Sequence, residues 1–274
     1  MQTEHVNASL DAEPDTGEAP GLSVIVPAHN EAENLALLVD QIHAACSGLD
    51  LAFDCIVVDD ASTDTTAAVL ASLVPDRAWL RSVKLLPPPE GGGNGQSAAF
   101  QAGIKGSFGT LIAMLDADLQ NDPAELPRLI ARLHEASADM VQGDRSDSRR
   151  AGDAWVRRFG SGVGRVFRRM ILGDSIRDTG CSLRVMKRDV ALALPLEYKG
   201  LHRFIPVTAR QLGYRVIEEP VAHRARHAGT PKYGLGIASR AVPGLIDCFA
   251  VRWMGGRRRL TKYAVEHREN RGDE

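Results

Sequence analysis

Apolar segments with the length of β-strands alternate with amphipathic segments of helical period along the first half of this chain. The apolar segments cover 22–27, 53–60, 79–86 and 110–118, and each precedes a stretch in which apolar residues recur at helical spacing. Strand and helix alternation favours a parallel sheet, because each parallel connection must cross over the sheet. The sequence therefore predicts an α/β fold in which parallel strands are joined by right-handed crossovers.

Polar residues follow three of the four predicted strands directly. They are His29 to Glu31 after the first strand, Asp59 and Asp60 at the end of the second, and residues 116–120 after the fourth. In open parallel sheets, ligands bind outside the carboxyl ends of the strands. We therefore expect these residues to line one binding site.

The segment LIAMLDADLQNDP carries oxygen-bearing side chains at alternating positions, namely Asp116, Asp118 and Gln120. If the strand continues through them, its period of two places all three on one face. Carboxylate and amide oxygens suit Mg²⁺ or Mn²⁺ shared with substrate phosphates. An Asp-x-Asp tripeptide alone is also compatible with a turn or a helix cap. Its position after a buried strand favours a metal-bound nucleotide diphosphate.

Other nucleotide motifs are absent from the sequence. No GxGxxG follows the first strand and no GxxxxGK[ST] occurs, so neither a dinucleotide fingerprint nor a P-loop is indicated. The glycines of 90–96 (EGGGNGQ) favour a flexible loop over a phosphate cradle. The four cysteines lack close metal-ligand spacing, and we interpret them as small core residues, with a disulfide or a metal cluster as the alternative.

The formal net charge of −2 conceals an uneven distribution. Residues 1–20 hold five acids and no Lys or Arg, whereas 141–184 hold ten Arg against five acids, and 199–260 hold twelve Lys or Arg against three acids. The basic regions indicate either an anionic partner or solvated Arg-rich helices. Nucleic acid is not expected as a partner, because no recognised binding motif occurs and the basic stretches lack interleaved aromatics.

The chain resembles a known family along most of its length. Its motifs run between about Leu22 and Tyr233 in the order VIVPAHNEAENL, VVDDASTDTT, NGQSAAFQAG, DADLQNDP, RDTGCSLRVMKRD and RARHAGTPKY. In these motifs it resembles the family 2 glycosyltransferases of the GT-A fold, and within them the dolichyl-phosphate or polyprenyl-phosphate sugar transferases. It departs from the family pattern at Ala61, where Gly is usual, and at Pro231, where Ser is usual before Lys232.

The resemblance implies a GT-A fold, which has a Rossmann-like, mostly parallel sheet flanked by helices. We expect a disordered acidic tail over 1–20, the glycosyltransferase domain over 21–233 and an amphipathic, basic C-terminal segment over 234–274. No stretch reaches the roughly 18 to 20 apolar residues of a membrane span, and no signal pattern begins the chain. The expected location is the cytoplasm, on the cytoplasmic face of a membrane.

The resemblance also implies roles for the polar residues at the strand ends. The residues expected to bind the nucleotide are Pro27, Ala28, Asn30, Glu31, Asp59, Asp60, Asp116 and Asp118. Asp116, Asp118 and Gln120 would hold the metal against the donor diphosphate. Structural alternatives exist, since Glu31 also suits a helix start and Asp60 also suits a helix cap.

Basic residues are the candidates for binding an acceptor phosphate. A phosphate monoester has its second pKa near about 6, so it is an anionic nucleophile near neutral pH and needs no strong base. It does need positive charge and hydrogen-bond donors, which Arg provides in a planar, bidentate arrangement. The candidates are Arg145, Arg203, Arg226 and Lys232, with Arg184 steadying the site.

Three residues are the candidates for a catalytic role. Asp118 would act through the metal, and Arg226 would act on the acceptor phosphate. For Asp178 several roles remain open: it orients the acceptor or the sugar, acts as a base, or pairs with a nearby Arg. Other arginines, including Arg168, are interpreted as solvated or membrane-facing positions on helices.

The expected function is that of an inverting, metal-dependent transferase that moves a hexose from a nucleotide diphosphate sugar to a polyprenyl phosphate. The resemblance favours mannose from GDP-mannose over a UDP-sugar. One alternative is a family 2 transferase with a saccharide or other hydroxyl acceptor, which would need a true base. A second alternative is a non-catalytic nucleotide-binding module.

The pattern of apolar residues in segment 237–260 indicates how such an enzyme could contact its lipid acceptor. Its apolar residues recur in pairs four apart, which indicates one broad helical face that ends at Gly255-Gly256, before three arginines. A helix packed on the domain's own core explains this pattern as well as a membrane helix does. Trp253 beside the arginines favours a helix that lies in the interface of an anionic membrane.

The role implied for Arg226 leads to a kinetic prediction. Replacing Arg226 with Ala should raise the KM for lipid phosphate far more than the KM for the donor, because a charge-assisted contact of roughly 1.5 to 3 kcal/mol is lost. Steady-state kinetics with each substrate varied in turn measures both values. Equal effects on the two substrates would assign Arg226 to the donor side.

Overall fold

The computed structural model describes residues 20–147, 166–225, 227 and 237–258, with only the backbone described over 237–242. The predicted acidic tail, apart from Pro20, lies outside these residues, as do Arg226 and Lys232. The strands are β1 (Leu22–Ala28), β2 (Phe53–Asp60), β3 (Leu80–Leu85), β4 (Leu111–Met114), β5 (Met140–Asp144), β6 (Arg184–Lys187) and β7 (Val216–Pro220). The helices are α1 (Ala32–Cys46), α2 (Thr66–Leu73), α3 (Gln96–Lys105), α4 (Leu126–Glu135), α5 (Arg188–Ala193), α6 (Ile205–Gln211) and α7 (Ile237–Arg257). Short 3₁₀ turns cover Pro123–Glu125 and Leu201–Phe204, and 166–172 is also helical.

The described strands form one sheet in the order β3-β2-β1-β4-β6-β5-β7. The first four strands in this order are parallel to each other, β6 is antiparallel to both of its neighbours, and β5 pairs with β7 in parallel. In the β1–β2 register, Leu22 faces Phe53 and Ala28 faces Asp59, so the two strands end together. The predicted mostly parallel α/β sheet is confirmed, and the polar strand ends meet at one edge.

Alternation along the central strands divides the buried apolar side chains between the two faces of the sheet. Val24 and Val26 of β1 join the cluster under α1, α2 and α4, whereas Ile25 joins the cluster under α3, α5, α6 and α7. A strand covered on both faces is apolar at nearly every position, which explains the run LSVIV, where the buried Ser23 is the polar exception and accepts from the Gly109 N–H. The buried apolar area stabilises the sheet at roughly 25 cal/mol per Å².

Three expected boundaries are wrong. β4 ends at Met114, and Leu119 has a left-handed φ of 60°, so residues 116–120 form a turn and not a continued strand. α2 begins at Thr66, because the residues before it form a hydrogen-bonded loop with Asn30. α7 continues through Gly255 and Gly256 to Arg257. The Gly255 position lies against the end of the Gln211 side chain, where a Cβ would be 2.9 Å from Cδ.

All four cysteines are free and buried, which confirms their interpretation as core residues. They are Cys46, Cys55, Cys181 and Cys248. Within the described part of the chain, no helix is both long enough and apolar enough to cross a membrane.

The turn after β2 explains why Gly is usual at position 61 of the family pattern. Ala61 has a φ of 52°, in the left-handed region that costs an L-residue roughly 1–2 kcal/mol. Glycine adopts this conformation without that steric penalty, although it also adds freedom to the unfolded chain.

Replacing Ala61 with Gly should therefore stabilise the protein by about 1 kcal/mol. Urea unfolding of the variant and the wild type measures this difference. The matched control is Ala36→Gly on the exposed face of α1, where the same change should destabilise by about 1 kcal/mol. A loss of stability at both positions would contradict strain at Ala61.

Candidate active site

The carboxyl ends of β1, β2 and β4 lie side by side, and the loops that follow them are bonded to each other. Asn30 has a φ of 53°, and its backbone N–H donates to Ser62 Oγ at 2.9 Å. Its side-chain Oδ1 accepts from the Thr63 N–H at 2.8 Å. These bonds join the loop after β1 to the loop after β2. Asn30 therefore shapes the edge where a nucleoside is expected.

The two carboxylate oxygens of Asp59 differ in their hydrogen bonding. Oδ1 accepts from the Ser62 N–H at 3.0 Å. Oδ2 is buried and finds no hydrogen-bond donor among the described residues. A buried acceptor without a partner is costly, so such groups commonly mark a place where a ligand or water donates.

Glu31, Pro27 and Ala28 occupy structural positions at the same edge. Glu31 is buried beside the start of α1, where its carboxylate accepts from Asn34 Nδ2 at 2.6 Å. Pro27 and Ala28 are the last two residues of β1 and pair in register with Val58 and Asp59. Their contribution to a nucleoside pocket would come from backbone shape.

Asp60 holds the glycine-rich loop in place. Its Oδ1 accepts from the Asn94 N–H at 2.7 Å, and its Oδ2 accepts from the Gly95 N–H at 2.7 Å. At Gly93, a Cβ would lie 2.7 Å from Asp60 Oδ2, so the loop can approach this closely only with glycine there. The loop interpreted as flexible is thus fastened to β2 at its C-terminal end.

The start of α3 links Asp60 to the aspartates after β4. Gln96, the residue after Gly95, donates from Nε2 to Asp116 Oδ1. Burial and the nearby Asp118 carboxylate raise the pKa of Asp116 above its usual value. A hydrogen bond from a serine hydroxyl and the charges of nearby arginines oppose that rise. Two carboxylates therefore lie close enough to repel each other.

This aspartate pair suits a divalent cation that also binds substrate phosphates. Asp118 is buried, and its Oδ1 accepts from the Gln120 N–H at 3.2 Å, which forms the turn that brings the two carboxylates together. Among the described residues no group of three or more His, Cys, Asp or Glu could hold a metal alone. Mg²⁺ is commonly held by one or two carboxylates, with phosphates and water completing its shell. The donor set fits this arrangement.

A buried ion pair lies beside the aspartates. Arg145, directly after β5, donates from Nε to Asp178 Oδ2 at 2.9 Å and from Nη2 to Oδ1 at 3.3 Å. Gly180 N–H also donates to Oδ1 at 3.1 Å. Of the roles left open for Asp178, pairing with an arginine is therefore present in the structure.

Glu218 of β7 positions this ion pair through hydrogen bonds to the backbone at Asp178. Its Oε1 accepts from the N–H groups of Arg177 at 2.7 Å and Asp178 at 3.2 Å. Burial raises the pKa of Glu218, and the two backbone N–H donors oppose that rise. The backbone at Asp178 is thereby fixed to the sheet.

A cavity of about 300 Å³ opens between these groups. Its lining residues are Gln96, Phe100, Asp116, Thr179, Gly180, Ser182, Arg184, His202 and Arg203. Arg184 is only 2% exposed, and its guanidinium donates to the backbone carbonyls of Cys181, Ser182 and His202. Burial lowers the pKa of Arg184 to about 10, although nearby negative groups oppose the shift. The site cavity thus has an acidic wall at Asp116 and a basic wall at Arg184 and Arg203.

The structure brings together most of the predicted site residues. Asp116, Arg184 and Arg203 line the site cavity, and the Arg145–Asp178 pair lies beside it. The predicted acceptor residues Arg226 and Lys232 lie outside the described residues.

Several contributors were missed by sequence reasoning. Gln96, Ser182 and His202 were not assigned a role, although Gln96 and Ser182 occur inside quoted motifs. The interpretation of Arg168 was wrong. It is buried and donates to Asp174 at 2.8 Å and to Thr179 Oγ1 at 2.7 Å, so it fixes the segment that carries Asp178. An arginine in a basic stretch gives no sign of such pairing, because its partners lie on a separate loop.

Comparison with known proteins identifies the class of this site. The sequence profile described as "Glycosyl transferase family 2" matches residues 23–194. The chain belongs to this family and is a glycosyltransferase. The family expected from the sequence motifs is confirmed.

Two relatives with assigned names are similar to this chain over most of its length. The chain is 34% identical over 227 residues to the undecaprenyl-phosphate 4-deoxy-4-formamido-L-arabinose transferase of Edwardsiella ictaluri (strain 93-146), covering 83% of this chain and 67% of that protein. It is 33% identical over 229 residues to the dodecaprenyl-phosphate galacturonate synthase of Rhizobium johnstonii, covering 82% and 65%. The chain therefore spans about two thirds of the length of these relatives.

Solved structures share the fold. Glucosyl-3-phosphoglycerate synthase from Mycobacterium tuberculosis, in complex with Mn²⁺, UDP and glucosyl-3-phosphoglycerate, superposes with a TM-score of 0.60 at 18% identity, covering 89% of this chain and 85% of that one. At this identity the likeness concerns the fold alone. The expected GT-A fold is confirmed.

His202 gives the site a measurable pH signature. Its Nδ1 lies 2.9 Å from Ser97 Oγ, and burial, together with the charges of Arg203 and Arg184, lowers its pKa to about 3. In the unfolded chain the histidine takes up a proton near its ordinary value of 6.5, whereas in the folded protein it stays neutral down to about 3. Proton uptake by the unfolded state therefore reduces stability as the pH falls between these values.

Replacing His202 with Asn should remove this contribution. Between roughly pH 7 and pH 5, the wild type should lose about 2 kcal/mol more unfolding free energy than the variant. Urea unfolding at several pH values measures the difference, with His134→Asn on the exposed face of α4 as the matched control. Parallel stability curves for wild type and His202→Asn would contradict the lowered pKa.

Proposed function

We propose that this glycosyltransferase moves a sugar from a nucleotide diphosphate sugar to a polyprenyl phosphate, with the help of a divalent cation. The observation that carries the proposal is the site cavity, which has Asp116 on one wall, with the Asp118 carboxylate nearby, and the buried Arg184 and half-buried Arg203 on the other. The aspartates suit a cation on the donor diphosphate, and the arginines suit a phosphate acceptor. The names of the relatives, which refer to undecaprenyl and dodecaprenyl phosphate, support this acceptor class.

Asp116 and Asp118 would hold the cation, and the Gln120 side chain completes the proposed ligand set. When bound, Mg²⁺ or Mn²⁺ supplies Lewis-acid stabilisation of the leaving diphosphate. The neighbouring carboxylate contributes to the raised pKa of Asp116, and a bound cation would offset that repulsion. Gln96 keeps Asp116 oriented through its side-chain amide. The metal complexes of a fold neighbour support the use of a divalent ion.

The nucleoside would bind between the ends of β1 and β2. The partnerless Oδ2 of Asp59 supports this assignment, since a base or ribose donor would satisfy it. Asp60 would act indirectly, because both of its oxygens hold the glycine-rich loop. Asn30 would act by shaping the two loops.

The identity of the sugar is the most specific part of the proposal. The sequence motifs favour a hexose, with mannose from GDP-mannose first. The relatives' names refer to 4-deoxy-4-formamido-L-arabinose and galacturonate, and the fold neighbour binds UDP. We therefore propose a nucleotide diphosphate sugar as the class, and UDP-sugars are to be tested beside GDP-mannose.

The acceptor phosphate would meet Arg184 and Arg203 at the basic wall, with Arg226 and Lys232 as further candidates from the sequence. Arg145 would act through Asp178, since its guanidinium is engaged in that pair. A phosphate monoester attacks as an anion, so transfer with inversion at the sugar carbon needs no base. A hydroxyl acceptor would need one, and Asp178 would have to leave its hydrogen bonds with Arg145 and Gly180 to serve.

We also propose that the protein binds peripherally to the cytoplasmic face of a membrane. Large apolar side chains are exposed on two neighbouring helices, at Val166 and Met170 on one and at Ile246, Phe249 and Trp253 on α7. Phe167 and Phe249 pack edge to face at 6.2 Å, which joins the two helices. We call these five exposed residues the apolar patch.

Basic side chains accompany the apolar patch. They are Arg169, Arg252, Arg257 and Arg258, which are all exposed. An apolar surface beside positive charges suits the interface of an anionic membrane, where both contributions add. The other face of α7 packs on the core through Cys248 and Val251. The structure shows the core packing of α7, and we propose the membrane contact for its exposed face.

The cation site is tested by Asp118→Asn. The variant should lose most transfer activity and most of the Mn²⁺-dependent thermal stabilisation by nucleotide diphosphates, because one charged ligand is removed while the packing is kept. Differential scanning fluorimetry with GDP and UDP measures the binding, and product formation measures the transfer.

The matched control is Asp122→Asn, in the same loop. Asp122 caps the 3₁₀ turn at Ala124 and pairs with Arg224, and it is not one of the proposed cation ligands. It should keep its nucleotide response. Wild-type turnover in Asp118→Asn would refute the cation assignment.

The apolar patch leads to a binding prediction. The wild type should bind anionic vesicles in a salt-sensitive manner, and the double substitution Phe249→Ser and Trp253→Ser should weaken binding at least roughly ten-fold, because two aromatic contacts are lost. Point substitutions are preferable to deletion of α7, which would expose the core around Val251. Vesicle sedimentation at low and high salt measures the effect.

The control for this experiment is Leu86→Ser, an exposed apolar residue after β3. It should bind as the wild type does. If the intact protein ignores anionic vesicles even at low salt, the membrane proposal fails.

A further inference from the structure

A second cavity, of about 290 Å³, lies between α6 and α7, where it is lined mainly by apolar surface. Its walls include Pro195, Leu201, Thr208, Val251, Trp253 and Met254. We call it the interhelical cavity. Its size is at the lower end of the range of small-molecule sites.

The interhelical cavity and the site cavity lie on either side of one short turn. Leu201 lines the interhelical cavity, and the next two residues, His202 and Arg203, line the site cavity. The turn is held by His202, whose backbone N–H donates to Ser97 Oγ at 3.1 Å. Consecutive residues thus connect an apolar wall to a basic one.

Helix α7 also runs from the turn that borders the site cavity to the interhelical cavity. Asp247 lies at the turn, where a Cβ on Gly200 would be 2.7 Å from its Oδ2, and it interacts electrostatically with Arg203. Val251, four residues further on, lines the interhelical cavity. One helical turn is about 5.4 Å, so only a short distance along α7 separates the basic wall from the apolar one.

Arginines border the far end of the interhelical cavity. Arg257 lies over the Trp253 ring at 5.9 Å, and Arg258 donates to the Ala193 carbonyl at 3.5 Å. Both residues also line the cavity, and Trp253 belongs to the apolar patch as well. The interhelical cavity therefore lies between the turn that borders the site cavity and the surface proposed to meet the membrane.

We propose that the interhelical cavity receives the isoprenyl units nearest to the phosphate of the lipid acceptor. This inference rests on the proposed function, which places that phosphate at Arg184 and Arg203. A lipid phosphate has an anionic head and an apolar tail. Its head suits the basic wall of the site cavity, and its tail suits the interhelical cavity and the apolar patch next to it. A saccharide acceptor has no apolar portion to bury there.

The tail is tested first without its phosphate. Farnesol should bind the wild type, with a change in tryptophan fluorescence that Trp253→Phe abolishes. Thr208→Phe, which fills the cavity, should weaken this binding roughly ten-fold or more. Leu37→Phe is the matched control, since it adds the same ring at an exposed position of α1, outside both cavities and the apolar patch. Met254→Trp is the second filling variant if Thr208→Phe does not fold.

The tail is then tested as part of the acceptor. With farnesyl phosphate, the filling variants should raise the KM roughly ten-fold, while the KM for isopentenyl phosphate, which has a single isoprene unit, should stay unchanged. Equal effects on the two acceptors, or none on either, would overturn the tail assignment and leave the proposed function standing. Transfer to neither phosphate would overturn the proposed function and this assignment with it, whereas farnesol bound equally by wild type and filling variants would overturn the cavity alone.

Discussion

The balance of charge at the carboxyl edge of the sheet is the constraint on which the site depends. Arg145, Asp178 and Arg184 are buried within one small region, beside the half-buried Asp116. Burying a charge is costly unless it is paired or hydrogen-bonded. Arg145 and Asp178 satisfy each other, whereas Arg184 donates only to backbone carbonyls among the residues that the structure describes. An anionic ligand would give Arg184 a counter-charge, and a cation would do the same for Asp116.

This balance is maintained by contacts from several parts of the chain. Gln96 at the start of α3 orients Asp116, Arg168 fixes the segment before Thr179, and Glu218 of β7 holds the backbone of Asp178. These residues lie far apart in sequence but meet because parallel strands end at one edge. The same topology places Asp60 where it fastens the glycine-rich loop. The position of the site therefore follows from the sheet, and its charge pattern follows from the loops.

The sheet could be predicted from sequence because its signals are local. β2 occupies Phe53–Asp60 as predicted, since a buried strand has a continuous apolar run, here Cys55 to Val58, which polar residues follow. The extent of β4 could not be predicted from alternation, because Asp116 and Asp118 alternate in a turn in which Leu119 has a positive φ. Alternating polar residues look the same in a strand and in such a turn.

The acidic residues of the site could be predicted from the sequence, whereas the roles of its arginines were harder to predict. The aspartates follow strands directly, so topology alone brings them to the edge. The roles of Arg145 and Arg168 depend on ion pairs with Asp178 and Asp174, which no local pattern reveals. For α7, the repeated apolar pairs correctly indicated a helix. The buried face, at Cys248 and Val251, is rotated from the face that those pairs marked.

The chemical identity of the acceptor is the most direct test of this account. The purified protein is incubated with Mn²⁺, a panel of nucleotide sugars and either farnesyl phosphate or farnesol, and the products are analysed by mass spectrometry. The account predicts a glycosyl phosphate lipid from farnesyl phosphate and no glycoside from farnesol, because only the phosphate is an anionic nucleophile at neutral pH. Sugar transfer to the free alcohol or to a saccharide, with none to the phosphate, would contradict it.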